Sequence, residues 1–498
     1  MSSTGSSHRQ ILKSTSIIGG STAISVVIGI LRTKILAVLL GPSGIALFGL
    51  YGVIIGLVST LAGMGIGSSG VRQIAEANGS QDQRKISLTI FTLRCNALFL
   101  GALGALVLVL FCVPLSVSTF GTRAQAGALA LLSLSIFFAS VSDAQTALIQ
   151  GLRRIRDLAK IRIATALLGT AVTIPVVWFL RERGVAPAIV AATAVSLLIS
   201  WHFARQVKPT EAAFSRGEVF RETRVLLGLG LTFMTSGLMA SAANYFIRTS
   251  IVRQIGLEGT GHYQAAFALS TVYVGFILGA MGADFYPRLT AAAHDNPTCN
   301  RLVNEQSEVA LLLAGPGILL TLALAPVAIR LFYSASFLPA VDILRWQILG
   351  LFGRIVTWPL GFLVVAKGRG QLFFWTELAA NVAHVMFVYF ATKFFGLPGT
   401  GMAFFFLYVF YALLMVPVVK GLSGFAWTGK YKMHLVLFSL LIALIFSLSF
   451  ILSPVLFAGV GCAVAACSGI FSLRTILKLT GIRPSLNMLL KCKIRLHK

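Results

Sequence analysis

The chain is a succession of long apolar segments separated by short polar or basic breaks. Each segment has about the 20 residues that a helix needs to cross a bilayer. The fourteen segments lie at 12–38, 43–66, 87–113, 127–150, 160–180, 185–204, 226–248, 263–285, 307–332, 343–366, 371–392, 399–419, 433–452 and 455–476. Only 11% of the residues are charged, whereas a soluble domain has about 25%. The sequence therefore predicts an all-α polytopic membrane protein with fourteen spans.

The net charge of +26 raises the question of a nucleic-acid partner, and the distribution of the charge answers it. An even number of spans places both termini on one side of the membrane. Of the 41 Lys and Arg residues, 30 fall on that side and eight near the other. This is the asymmetry of the positive-inside rule. We therefore expect cytoplasmic termini and no nucleic-acid partner.

An internal repeat predicts the domain organisation. The stretch at 30–44 resembles the stretch at 246–259, and Arg32 and Arg248, like Thr33 and Thr249, are 216 residues apart. Spans one and two thus recur as spans seven and eight in the same orientation. In transporters, such a parallel repeat places a substrate cavity near the midplane. The predicted domains are an N-terminal bundle at 1–204, a cytoplasmic linker at 205–225, a C-terminal bundle at 226–420, and two extra spans with a basic tail at 421–498.

Four basic residues are candidates for positions at depth within the predicted spans, where a charge costs about 2.5–3.5 kcal/mol on insertion scales. They are Arg32, Lys34, Arg248 and Arg354. Arg32 and Lys34 are about 200° apart on one helix, so only one of them points squarely into a lumen. Arginine forks suit two-pronged capture of phosphate oxygens, which makes these residues candidate ligands of a diphosphate. The alternatives are salt bridges and snorkelling to the outer surface.

Polar residues at depth supply candidates for a coupling ion or for glycan contacts. Span eleven carries Glu377, Asn381 and His384 on one face, which suits a proton, a cation, sugar hydroxyls or a polar network between helices. Asp143 is a further candidate, unless it only balances Arg153 and Arg154. Asp284 is the last candidate for these contacts. The alternative is that Asp284 only forms a local ion pair with Arg288.

Catalytic and metal-binding motifs are missing from the sequence. There is no HExxH, no GxSxG, no DxD pair and no metal-type spacing among the six cysteines. No stretch outside the predicted spans is much longer than 25 residues, which leaves no room for a soluble catalytic domain. The glycine-rich run at 63–70 lacks the Lys-Ser/Thr end of a phosphate loop and favours helix bending or close helix contact instead. We expect no enzyme, no metal site and no cofactor.

Three segments, at 32–50, 259–290 and 340–368, resemble the Wzx-type O-antigen flippases, in the polysaccharide transporter branch of the MOP exporter superfamily. The resemblance runs in order over most of residues 10–420. It implies two six-helix bundles forming a V, as in the MATE-like exporters. Many O-antigen members stop after twelve spans, whereas residues 433–476 here predict two more, as in the lipid II flippases.

The resemblance also implies the cargo. A flippase of this kind turns an undecaprenyl diphosphate carrying an oligosaccharide repeat unit from the inner to the outer leaflet of the bacterial inner membrane. Alternating access, with H⁺ or Na⁺ coupling, is the implied mechanism. A polysaccharide polymerase and a chain-length regulator are the implied partners. Two alternatives stay open, namely a multidrug/cation antiporter of the same superfamily and a membrane-embedded polymerase or glycosyltransferase.

Overall fold

The computed structural model describes residues 3–80, 82–207 and 214–480, which form helices and short turns with no strand among them. The helices are α1 Ser3–Gly63, α2 Ile66–Gly79, α3 Gln83–Phe120, α4 Ala126–Gly151, α5 Ile155–Leu180, α6 Val185–Ala204, α7 Arg216–Ala291, α8 Asn296–Ala323, α9 Ala325–Phe332, α10 Ala340–Ala366, α11 Gly370–Phe395, α12 Leu397–Ser423, α13 Gly429–Leu448 and α14 Pro454–Thr480. The predicted all-α class is confirmed.

The predicted spans coincide with these helices. Ten helical segments of the described chain are long and apolar enough to cross a membrane. Two of them, Ile17–Gly63 and Ile155–Ala204, each hold two predicted spans. Spans seven and eight lie together in the 76-residue α7. The polytopic membrane fold is therefore the one that hydropathy predicts.

The repeat is visible in the backbone as two matching kinks. Gly41 in α1 has φ 65° and ψ −168°, and Gly256 in α7 has φ 75° and ψ −176°. This region of backbone space is essentially restricted to glycine. Three residues after each kink, Gly44 and Gly259 sit where a Cβ would collide with the side chain of Leu40 or Ile255, respectively. The same sequence pattern therefore builds the same break in both halves.

The contacts within the chain divide it into two compact units. The first contains Met1–Gln264 and the short segment Arg330–Phe337; the second contains Ala265–Ile329 and Leu338–Lys498. Within the second unit, the extra helices α13 and α14 pack against α8. The predicted boundaries at 204, 225 and 420 stay predictions. Residues 208–213 of the predicted linker and 481–498 of the predicted tail lie outside the described residues.

The glycine-rich run ends α1 and brings the chain close to α7. Met64 and Gly65 both have left-handed backbone conformations, with φ 44° and 68°, and α2 begins directly after them. A Cβ on Gly65 would overlap the carbonyl oxygen of Gly230, and a Cβ on Gly230 would overlap that of Met64. The predicted role of this run in bending and close helix contact is confirmed.

We expect Gly65→Ala to destabilise the first unit, because alanine costs about 1–2 kcal/mol in the left-handed region and its methyl group has no space against Gly230. The thermal unfolding midpoint of the detergent-solubilised protein should fall by about 2–4 °C. Gly67→Ala is the matched control, since nothing lies within 4 Å of a Cβ there. Equal midpoints for the two variants would contradict this close approach.

Candidate functional site

The two repeat-related arginines both lie in the first unit but differ in their surroundings. Arg32 is half-buried, and within the described ranges no side chain forms a salt bridge or hydrogen bond with its guanidinium. Arg248 is only 8% exposed. Its Nε donates to Oε1 of Gln264 at 3.1 Å, and the buried Tyr263 interacts with it electrostatically. The neutral amide of Gln264 therefore positions the Arg248 guanidinium.

Lys34 holds a segment from far along the chain. Its Nζ donates to the backbone oxygen of Arg330 at 2.7 Å and to that of Tyr333. We call Arg330–Phe337 the strap. Phe337 of the strap packs edge-on against His262, with ring centroids 5.9 Å apart. Burial raises the pKa of Tyr333 to about 12, so its phenol is neutral at physiological pH. Because its Nζ donates to these two backbone oxygens, Lys34 caps the carbonyl end of α9. The sequence does not predict this contact.

Asp143 faces a cavity of about 280 Å³ within the first unit. Its carboxylate has no hydrogen bond or ion pair with any residue that the structure describes. The alternative that Asp143 only balances Arg153 and Arg154 is not what the structure contains, because Arg154 pairs with Asp157 at 2.6 Å and no ion pair among the described residues joins Asp143 to Arg153. The same cavity is lined by Ser59, whose hydroxyl is buried without a partner. The cavity thus presents a carboxylate and a hydroxyl that a cation or water can satisfy.

A second polar cluster lies in the second unit, on α10, α11 and α12. Tyr411 donates through its hydroxyl to Oε1 of Glu377 at 2.7 Å. Tyr408 interacts electrostatically with both Arg354 and Glu377, and its ring centroid lies 6.5 Å from that of Tyr411. No ion pair within 4 Å joins Arg354 to a carboxylate in the described part of the chain. Tyr411, which sequence reasoning missed, therefore contacts the predicted glutamate directly, and Tyr408 lies within electrostatic range of the predicted arginine and glutamate.

The other two polar residues on the same face of span eleven as Glu377, namely Asn381 and His384, take different roles. The Asn381 side-chain amide donates to the backbone oxygen of Glu377 at 2.8 Å, so this bond stays within α11. The His384 ring lies 6.0 Å from Phe404, which in turn lies 5.1 Å from Tyr408. Glu377 therefore contacts the cluster by a hydrogen bond with Tyr411, and His384 is linked to it only through the packing of its ring against Phe404.

An apolar groove of about 520 Å³ adjoins this cluster in the second unit. Its walls come from α10, α12 and α13, and they include Phe352, Val356, Val409, Leu413 and Leu435. Gly353, next to Arg354 in sequence, and Tyr408 also line it. The groove and the polar cluster thus share Tyr408, whereas Arg354 and Glu377 are not among the described residues that line the groove.

Asp284 forms a local ion pair with Arg288 at 3.1 Å, one helical turn away. More than half of each side chain is exposed. Of the two predicted roles, the local pair is the one that the structure contains. No group of three or more His, Cys, Asp and Glu residues in the described ranges is arranged to hold a metal ion.

A family profile described as "Polysaccharide biosynthesis protein" matches residues 35–342. Among curated proteins, the chain is similar to the Lipid III flippase of Escherichia coli, with 24% identity over 404 residues that cover 78% of this chain and 94% of the relative. The Lipid III flippase of Shigella flexneri matches equally well.

Solved structures of MOP superfamily transporters share the fold. A lipid II flippase, MurJ, in an inward closed conformation has a TM-score of 0.65 and 16% identity, covering 93% of this chain and 99% of its own. An inward-facing multidrug resistance MATE family transporter has a TM-score of 0.62 and 17% identity, covering 80% and 95%. The predicted fold class is confirmed by these neighbours.

We expect Lys34→Met to release the strap, because methionine keeps the apolar stem but cannot donate to the two carbonyls. Hydrogen exchange in peptides covering Arg330–Phe337 should become faster by about tenfold, which corresponds to roughly 1.4 kcal/mol for a charge-assisted contact. Lys393→Met is the control, since Lys393 is exposed and makes no hydrogen bond or ion pair within the described ranges. Unchanged exchange in the Lys34 variant would show that the strap is held by its aromatic packing alone.

Proposed function

Because this chain belongs to the polysaccharide biosynthesis protein family, we propose that it carries an undecaprenyl-diphosphate-linked oligosaccharide from the inner to the outer leaflet of a bacterial inner membrane. The mechanism that we propose is alternating access. The curated relatives are flippases for Lipid III. The two structural neighbours described above are a lipid II flippase and a multidrug resistance transporter.

The observation that carries this proposal is the apolar groove that shares Tyr408 with the cluster of Arg354, Tyr408, Tyr411 and Glu377. A lipid-linked oligosaccharide has an apolar tail, an anionic diphosphate and a polar glycan. The groove offers apolar walls to the tail. Arg354, without a counter-ion in the described part of the chain, offers its planar fork to the diphosphate. Tyr408 and Tyr411 offer aromatic faces and hydroxyls to the sugars.

The first unit adds further cations to this proposal. Arg32 has no salt bridge with any described residue, and Arg248 is held in place by Gln264. We assign both to diphosphate binding, as their matching positions in the repeat suggest. Lys34 belongs to the same predicted set, but two of its three donors are engaged by the strap. Its contribution is therefore to hold the strap, with a direct role toward the substrate only after release.

The sign of the charges separates this function from a cation exporter. A cationic drug would favour a binding region rich in carboxylates, whereas the predicted spans carry more arginine and lysine than acid. Moving two negative charges outward across an inside-negative membrane also gains about 2.3 kcal/mol per charge for each 100 mV. The membrane potential thus favours export of a diphosphate.

Coupling to an ion has two candidate sites. Asp143 lies in a cavity with the unpartnered hydroxyl of Ser59. Glu377 accepts a hydrogen bond from Tyr411 in the second unit. We assign the coupling of transport to Glu377, because it adjoins the proposed substrate cluster. Asp284 is set aside, since Arg288 already neutralises it at an exposed helix end.

We expect Arg354→Gln to slow flipping by about 10- to 100-fold, because a hydrogen bond to a charged group contributes about 1.5–3 kcal/mol. The measurement is dithionite quenching of a fluorescent polyprenyl-diphosphate-linked N-acetylglucosamine in proteoliposomes. Lys393→Gln removes a charge from an exposed position and serves as the control. A wild-type flipping rate for Arg354→Gln would refute the role of the groove cluster in head-group binding.

We expect Glu377→Gln to abolish the response of flipping to an imposed H⁺ or Na⁺ gradient, because the amide can neither bind a proton nor neutralise a cation. Tyr411→Phe is the matched control, since it removes the hydrogen bond but keeps the carboxylate. Both variants are compared in the same proteoliposomes with and without the gradient. A gradient response that survives in Glu377→Gln but is lost in Asp143→Asn would move the coupling site to the cavity of the first unit.

A further inference from the structure

We propose that α5 carries a binding site for the headgroup of an anionic phospholipid, separate from the groove in the second unit. The site is formed by Arg156 and Lys160 at the beginning of the helix, with Arg153 just before it. All three side chains are exposed. The ligand class follows from their charge, their position and the apolar surface that continues from them.

The three cations do not pair with other groups of the protein. No hydrogen bond or ion pair joins their side chains to any residue within the described ranges. Their neighbours behave differently, since Arg154 pairs with Asp157 at 2.6 Å and donates to Gln206 at 3.2 Å. This arginine fixes the turn between α4 and α5. The basic cluster therefore divides into one structural arginine and three cations directed to solvent or lipid.

Arg153 is held in an unusual backbone conformation. Its φ is 57°, one of only three positive values among the non-glycine residues that the structure describes. Arginine has no intrinsic preference for this region, and such residues persist where the surrounding fold enforces them. The turn thus keeps the exposed Arg153 directly before Arg156 and Lys160 in the chain at a cost in backbone energy.

Helical geometry places the two cations at the beginning of α5 on the same side of the helix as exposed apolar residues further along it. We call this row of side chains the α5 stripe. Arg156, Lys160, Leu167 and Trp178 are separated by four, seven and eleven residues, so all four lie within about 40° of one another. Leu167 is 52% exposed and Trp178 is 56% exposed. An acyl chain lying along this face would follow Leu167 with its headgroup at Lys160.

The length of the stripe matches a membrane. Eighteen residues separate Lys160 from Trp178, which corresponds to about 27 Å along a helix and nearly equals the hydrocarbon thickness of about 30 Å. Trp178 stands beside Arg181, whose guanidinium lies 5.9 Å from its ring, as expected for an interfacial tryptophan. The cations are therefore at headgroup level at the opposite interface.

Neighbouring α6 supplies a second marker at the basic end. Trp201 is 51% exposed and the guanidinium of Arg205 lies 5.0 Å from its ring. Arg154 links to Gln206, just beyond α6, and so holds the ends of the two helices together. An anionic headgroup between the α5 stripe and the pair of Trp201 and Arg205 would meet several cations at one interface. This is the arrangement of basic pockets that retain anionic lipids.

The experiment is a lipid titration of the purified full chain followed by native mass spectrometry. Phosphatidylglycerol is the probe, phosphatidylcholine is the zwitterionic comparison, and glycerol phosphate tests for binding of a free phosphate. The wild type should bind its first phosphatidylglycerol more tightly than phosphatidylcholine and should not retain glycerol phosphate. Each cation near the surface contributes about a fivefold factor, so the double variant R156Q/K160Q should lose at least about tenfold in affinity for phosphatidylglycerol.

The control variant is K85Q/R301Q, which removes the same number of charges from exposed positions. Lys85 and Arg301 already pair with Glu76 and Glu305, so phosphatidylglycerol binding should be unchanged. The conservative variant R156K/K160R should retain binding, which separates loss of the site from loss of folding. Equal affinities for wild type and R156Q/K160Q, an equal loss in the control, or equal retention of glycerol phosphate would overturn the proposal.

Discussion

The cost of an unpaired polar group in hydrocarbon governs this fold. No water reaches the bilayer core, so each backbone N–H and C=O must bond within the protein, and a helix achieves this within one segment. Side-chain hydroxyls obey the same rule. Thr60 donates to the carbonyl of Gly56 at 2.7 Å, and Thr357 donates to that of Gly353 at 2.9 Å. Against this background, the unpartnered hydroxyl of Ser59 and the unpaired carboxylate of Asp143 need water or a ligand to satisfy them.

The same cost explains where the helices break. A kink frees backbone groups, so it is tolerated only where the local geometry is favourable and new partners are available. Gly41 and Gly256 provide such geometry at matching positions of the repeat. Gly65 provides it at the end of α1, where Gly230 leaves room for close backbone contact. Glycine thus marks the internal symmetry at Gly41 and Gly256 and the close backbone contact at the end of α1 at Gly65.

Hydropathy and repeat spacing predicted most of the fold, because both depend on helix length and on local composition. The candidate cluster was only half predictable. Arg354 and Glu377 are conspicuous as charges in apolar helices, whereas Tyr408 and Tyr411 look like two more aromatic core residues in α12. The partners of Lys34 are backbone carbonyls almost 300 residues away, and a carbonyl has no signature in the sequence. The pairing of Arg154 with Asp157 rather than Asp143 depends on the turn geometry, which charge counting does not reveal.

The chemistry of each cation suits its surroundings in the fold. The ammonium of Lys34 is a compact charge with rotatable donors, so it can cap the end of α9 through two carbonyls. A guanidinium is planar and carries five donors, which a pair of helix-end carbonyls would not use fully. Arg32 and Arg354 lack a salt bridge or side-chain hydrogen bond in the described part of the chain, although a charge at depth costs about 2.5–3.5 kcal/mol. A diphosphate would offset that cost at both arginines, whereas a cationic cargo would increase it.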